Sequence, residues 1–379
     1  MPAVDVAIIG GGIAGVSTAA FLAEGGLRVR LYERTGIAAG ASGRNSGIVQ
    51  HPFDPVLADL YRRSLTEYRA LAAAATATFA LAERPVGLLL VGHDLRAARI
   101  LSREWAAAWP WTAPEVVEGR DLSRLEGALA PNLAACRLDI GFPVVPASAT
   151  KAFARAARRN GAEIVLGSVA RPASNDGRVV GVDVAGRLEP AGAVVVAAGP
   201  WTPEIIDPTG RWRPIRASWG VVAAVELPDP PRHGLEAIDI TIEPGDTGDV
   251  PAKDEAVEFS LVPAIGSSAL GSTFLLREPD PQAWVEALRR VGSGYVPDVA
   301  AAPLLGLRHC ARPVSRDGRP LVGRAPWADD LWILAGHGPW GISTGPGSAR
   351  LLCDQILGRV DASSLPAALD PGRFGTPSV

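Results

Sequence analysis

Apolar residues run over Val4–Ile9 with Asp5 the one exception, recur at helical spacing at Ile13, Val16, Ala20 and Ala23, and alternate with polar ones over Leu27–Tyr32. The period changes from a buried strand to a helix and back to a strand within residues 4–33. Further along, Pro55–Leu81 has a helical pattern, Val86–Val91 reads as a buried strand, and Pro146–Asn160 reads as a helix ending at Gly161. Short strands are expected at Ala162–Leu166 and Val179–Val184, and the apolar strand from Ala193 breaks at Gly199-Pro200-Trp201. Residues 214–305 differ. There, alternating strands (Gly220–Glu226, Ala256–Val262, Ser268–Leu276) are separated by Pro/Gly loops, with one helix near Gln282–Val291. This pattern predicts a mostly antiparallel second sheet. A strand Leu331–Ala335 and a helix reaching Leu357 close the chain.

The first turn carries candidate chemistry. Gly10-x-Gly12-x-x-Gly15 lies between the first strand and the helix. Gly10 permits the tight turn, Gly12 lets backbone approach a pyrophosphate, and Gly15 lets helix and strand pack closely. The helix N-terminus offers N–H groups and partial positive charge to phosphates. Glu33, at the end of the second strand, is placed to accept hydrogen bonds from a ribose diol. Strand, glycines, helix, strand and acid in register specify a dinucleotide site without distinguishing NAD from FAD. Residues 38–47, small, polar and glycine-rich, read as a cofactor-wrapping loop or a surface turn.

Composition narrows the class. The 379 residues fit one large domain or two ordinary ones, and 42 glycines with 33 prolines scattered among apolar runs indicate many turns rather than disorder. Net charge is -3, and the paired arginines at 62–63, 158–159 and 289–290 are far apart, so no nucleic-acid partner is expected. Lys151 and Lys253 are the only lysines. No stretch approaches the roughly 20 apolar residues of a membrane span. Three cysteines without metal spacing, and a first strand directly after Met1, lead us to expect a soluble cytoplasmic chain with no disulfide framework and no metal.

In order along the chain, the Gly10–Gly15 turn with Glu33-Arg34, the Gly40-Ala-Ser-Gly loop, Ala197-Ala-Gly-Pro-Trp201, Ala311-Arg-Pro-Val-Ser-Arg-Asp-Gly318 and Gly336-His-Gly-x-x-Gly341 resemble the FAD-dependent amino-acid and amine oxidoreductases of the D-amino-acid oxidase superfamily. The glycine oxidase and monomeric sarcosine oxidase branch is the nearest match. The resemblance implies an α/β (α+β) fold: a Rossmann-like FAD-binding domain from residues 1–84, 143–213 and 312–379, and a mostly antiparallel-sheet substrate domain from 85–142 and 214–311. It implies FAD held by Gly10, Gly12, Ile13, Ala14, Gly15, Glu33, Arg34, Ala41, Ser42, Arg44, Asn45, Ser46, Gly47, Val169, Ala198, Gly199, Trp201, Cys310, His337, Gly338, Gly341, Ile342 and Ser343. The last helix would aim its N-terminus at the flavin pyrimidine edge.

Three residues stand out for substrate. Arg312 matches the position at which glycine and D-amino-acid oxidases hold the substrate carboxylate, and its planar fork suits that group. The competing reading is an interface salt bridge. His51 falls, by offset, near a carboxylate-binding arginine of sarcosine oxidases, or it is a solvated loop histidine. Trp340 would line the cavity beside the ring, or simply pack. Cys310 stands where sarcosine oxidases attach flavin covalently, or it is a small buried apolar residue; non-covalent FAD is the favoured expectation. Trp105, Trp109 and Trp111 read as core.

The resemblance implies hydride transfer from an amine, an α-amino or N-alkyl amino acid, to flavin N5, giving an imine and, with oxygen as acceptor, hydrogen peroxide. Sarcosine oxidases use a lysine near the flavin for oxygen; the corresponding Ser268–Thr273 has none, and Lys253 lies in a preceding loop, but glycine oxidases also manage without it. The alternatives are a dehydrogenase passing electrons to a quinone or protein carrier, and a flavoprotein subunit dependent on a partner chain.

Overall fold

The computed structural model describes residues 4–74, 79–238, 256–264, 266–361 and 365–377; Lys253 lies outside them. Val4–Ile9 is the centre of a parallel sheet because every residue along it is apolar except Asp5, as a strand covered on both faces requires. Its neighbours are Arg187–Val196 on one side and Val29–Glu33 on the other, with Glu163–Leu166 and Leu331–Ala335 extending the parallel set. Leu321–Arg324 adds an antiparallel edge, and Ala170–Asn175 and Arg178–Val184 form an antiparallel extension off Arg187–Val196.

The helix Ile13–Glu24 is buried almost throughout and packs with Pro55–Ala73, Ser148–Arg159 and Gly341–Ile356 into one apolar layer. Asp54 caps Pro55–Ala73, accepting from the N–H groups of Val56 and Leu57 at 2.8 and 3.0 Å. That helix stops at Ala73, short of the Leu81 expected from periodicity.

The second sheet runs in the order Leu304–Ser315, Ile215–Val225, Ser267–Phe274, Ala256–Ala264, Gly234–Ala237, Leu88–Gly92, Ala134–Leu138, Glu115–Glu118. Every pairing is antiparallel except that of Gly234–Ala237 with Leu88–Gly92. The boundary expected between residues 311 and 312 falls inside a strand. Leu304–Ser315 stays paired with Ile215–Val225 down to Ser315 opposite Ile215, so Arg312 belongs to the second sheet. Residues 38–47 also depart from expectation, since Ala41–Arg44 forms a helical turn. Asn45 Nδ2 donates to the carbonyls of Ala41 and Ser42 and its Oδ1 accepts from Gly47 N–H, which satisfies the end of a segment too short to be stable alone.

Among the described residues no helix is long and apolar enough to cross a membrane, and no group of His, Cys, Asp or Glu has metal-binding geometry. All three cysteines are unpaired and buried.

Candidate active site

A single cavity of about 1700 Å³ runs from the first glycine turn to the second sheet. Pockets for one drug-sized ligand hold roughly 300–1,000 Å³, so this one has room for a dinucleotide and a substrate together.

At the nucleotide end, local geometry explains the glycines. Gly10 has φ +117°, and a Cβ there would overlap the Ala197 carbonyl. A Cβ on Gly15 would run into the Gly10 carbonyl oxygen, so Gly15 holds the helix against the turn without itself facing the cavity. Gly12, Ile13 and Ala14 line the wall. Ser42 Oγ accepts from Ile13 N–H at 2.9 Å, fixing the wrapping segment to the helix start. Glu33 accepts from Gly11 N–H at 2.6 Å and from Thr35 N–H and hydroxyl at 2.8 Å. These bonds lock its carboxylate at the strand end beside the cavity. Arg34 stacks over the Trp201 ring at 3.9 Å. Ala41, Arg44, Asn45, Ser46, Gly47, Val169, Ala198 and Gly199 complete this part of the lining.

The first turn of Ile13–Glu24 contains no acidic residue to neutralise its positive end. A glycine cradle that a Cβ would fill, a helix start with no acid in its own first turn and a locked carboxylate together fit the diphosphate and ribose of FAD.

At the other end, Gly338, Trp340, Gly341, Ile342 and Ser343 line the wall where Gly341–Ile356 begins. Tyr68 donates to the Ile342 carbonyl at 2.6 Å and Ser343 Oγ accepts from Gln50 N–H at 2.9 Å, pinning that helix start. His337 lies on the wall with Nε2 buried and bonded to no protein atom. Burial lowers its pKa to about 4, so the imidazole is neutral. Cys310 also reaches the cavity, and burial pushes its thiol up against the pull of Arg312, Arg44 and Arg308.

Arg312 is built into the second sheet. Its side chain crosses the neighbouring strand at Gly220 and reaches the third, where Nη1 donates to the Thr273 carbonyl at 2.7 Å and Nη2 to Ser272 Oγ. The guanidinium lies over the Phe274 ring at 4.6 Å. Burial pulls its pKa down, while Cys310 and Glu258 act in the opposite direction; an arginine remains charged regardless. A Cβ on Gly220 would coincide with the guanidinium. Gly220→Ala should therefore displace Arg312, lowering kcat/KM on carboxylated substrates by about 10²-fold while flavin content stays unchanged. Steady-state kinetics and the visible spectrum of the same preparation check this; unchanged kinetics would show that the guanidinium is placed by other contacts.

His51 corrects the sequence expectation, because it does not reach the cavity. Neighbouring residues on extended chain point to opposite sides, so Gln50 lines the cavity and His51 turns away from it. Its ring is enclosed by Tyr61, Trp105, Trp109 and Trp111 at centroid distances of 5.0–5.3 Å. Burial lowers its pKa to about 4, and neither ring nitrogen meets a bonding partner. The unfolded chain, with an ordinary histidine pKa, takes the proton first. Stability associated with His51 is therefore full above about pH 6.5 and is lost as pH falls towards 4. His51→Phe should leave kcat/KM within a few-fold and remove on the order of 2 kcal/mol of the destabilisation between pH 7 and 5. Urea midpoints at the two pH values read this out; a large loss of turnover would restore His51 to the site.

Sequence reasoning missed Gln50, Gly220, Glu236, Glu258 and Ser272. The available signal was a lone carboxylate in each of two otherwise apolar strands, Leu235-Glu236-Ala237 and Val257-Glu258-Phe259. Carboxylates rarely occur at such positions without a task or a partner.

Comparison with known proteins points to the same cofactor. A D-amino acid dehydrogenase of Cereibacter sphaeroides is 30% identical over 218 residues, which are 55% of this chain and 46% of that protein. The chain thus aligns with about half the length of that relative. A glycine oxidase of Bacillus licheniformis is 24% identical and aligns over 93% of both chains. The crystal structure of glycine oxidase from Geobacillus kaustophilus superposes with a TM-score of 0.81 at 24% identity, covering 98% of each chain, and so shares the fold. The family model described as "DAO: FAD dependent oxidoreductase" matches residues 5–355, and the chain belongs to that family of FAD-dependent oxidoreductases.

Proposed function

We propose that this protein oxidises an amine bearing a carboxylate, an α-amino or N-alkyl amino acid, to the imine, which then hydrolyses. The observation that carries this reading is Arg312, a buried guanidinium held over Gly220 by the Thr273 carbonyl and Ser272 at the wall of the cofactor cavity. A fixed cation there takes a carboxylate through charge-assisted bonds. When bound, FAD supplies the hydride acceptor.

The chain's own residues do the positioning. Arg312 orients the substrate by its carboxylate. Phe274, Phe53 and Trp340 exclude water around it. The Gly341–Ile356 helix directs its positive end towards the cavity. Such alignment is the main contribution protein makes to a hydride transfer.

Anaerobic mixing of the yellow protein with D-, L- and N-methyl amino acids and simple amines tests the reading. Bleaching by a carboxylated amine is the expected result; bleaching by no member of the panel would overturn it. Among the described lining residues there is no lysine; sarcosine oxidases use one for oxygen and glycine oxidases do not, so an oxidase and a dehydrogenase both fit this wall. Peroxide yield under air, compared with dye reduction, separates the two.

A further inference from the structure

The substrate end of the cavity holds two carboxylates as well as Arg312. Glu236 lies on the short strand Gly234–Ala237, paired with Ser260 on one side and with Leu90 on the other. Glu258 lies on Ala256–Ala264, where the pairing with Ser267–Phe274 slips between Val257 and Ser260. Alternation puts Glu258, Ser260 and Val262 on the cavity side, while Val257, Phe259 and Leu261 face the apolar core on the other side of the sheet.

Gln50 Nε2 donates to Glu236 Oε2 at 3.1 Å, which fixes the carboxyl and leaves Oε1 for another partner. Burial raises the Glu236 pKa to about 7; the Gln50 bond opposes the rise and the Glu258 charge adds to it. Glu258 also favours the charge on Arg312, so the three groups are electrostatically linked. Among the described residues packed on Glu236, Ala256–Ala264 contributes the charged Glu258 and the polar Ser260, and Gln50 is the polar one after Ile48–Val49. Leu88–Gly92 contributes only apolar side chains.

Resting on the amino-acid reading above, we infer that Glu236 receives the proton of the substrate ammonium while Arg312 holds the carboxylate. A zwitterion brings one negative and one positive group, and the cavity presents a cation and a carboxylate to match them. The N–H⁺ bond breaks, its electron pair stays on nitrogen, and an O–H bond forms at Glu236 Oε1. The amine then has the lone pair that hydride loss from its α-carbon requires. The proton leaves to solvent from Glu236 before the next substrate binds.

Two ligands that cannot be oxidised at an α C–H beside nitrogen test this in the holoenzyme. They are 2-aminoisobutyrate, which has no α-hydrogen, and isobutyrate, which has no ammonium. Binding is followed by flavin absorbance and tryptophan fluorescence. Ionised Glu236 attracts the ammonium of the first and repels the carboxylate of the second. Raising the pH from about 6 to 8 should tighten 2-aminoisobutyrate about tenfold and weaken isobutyrate by a similar factor. Glu236→Gln should flatten both profiles, and its turnover should recover at alkaline pH, where free amine enters from solution. If both ligands bind with the same pH dependence, or if the opposed slopes survive in Glu236→Gln, the assignment of Glu236 is wrong while the Arg312 site stands. If neither ligand binds, the carboxylate site itself fails and this inference fails with it. The two wild-type profiles decide the matter even if the variant does not fold.

Discussion

Arg312→Ala should lower kcat/KM for a carboxylated amine by about 10³-fold, about 4 kcal/mol, the size expected when one partner of a buried charge pair is removed. The loss should appear mainly in KM for substrates that carry the carboxylate. An amine lacking that group should react within a few-fold of its wild-type rate, because the cavity wall and the cofactor end are untouched. Arg312→Lys should recover only part of the loss. A lysine has no fork with which to bind the Thr273 carbonyl, Ser272 Oγ and a carboxylate together. Kinetics on a matched pair of substrates, with flavin content measured on the same samples, provide the check. Equal losses on both substrates would mean that the variant has collapsed the cavity rather than removed an anchor.

Gly15→Val has the other large expected effect, and it acts on the cofactor. The added Cβ would overlap the Gly10 carbonyl, with Ala197 Cβ 3.5 Å away. The helix Ile13–Glu24 must then lift from the turn that presents Gly12, Ile13 and Ala14 to the cavity. Purified protein should be colourless and inactive. Overpacking of this kind costs roughly 1–3 kcal/mol of stability, so the chain should still fold. Gly306→Ala is the control, since a Cβ added there would have nothing within 4 Å of it, and it should retain the full visible spectrum. A yellow, active Gly15→Val would contradict the role given to this turn.

Much of the cofactor end was legible because its determinants are local. A glycine pattern, the strand before it, the helix after it and an acid at the next strand end all lie within residues 4–33, where period and turn chemistry are readable. Arg312 was legible through its motif, but what places it was not. Gly220 and Ser272 come from two other strands and meet Arg312 only through sheet register. Glu236 and Glu258 were hidden for the same reason: alternation puts each on the face away from the apolar core, but sheet register is what brings them to the cavity of Arg312. His51 was misjudged by one position. An offset in sequence identifies the neighbourhood, but the side of the chain on which a residue falls decides between the cavity, where Gln50 lies, and the aromatic enclosure, where His51 lies.

The measurement that tests the central claim most directly is rapid anaerobic mixing of the holoenzyme with an N-methyl or α-amino acid and, separately, with the same amine lacking its carboxylate. The account predicts fast bleaching of the flavin band by the acid and bleaching slower by about 10²-fold or more by its decarboxylated counterpart, as an anchored carboxylate requires. Equal rates for the two, or bleaching by neither, would contradict it.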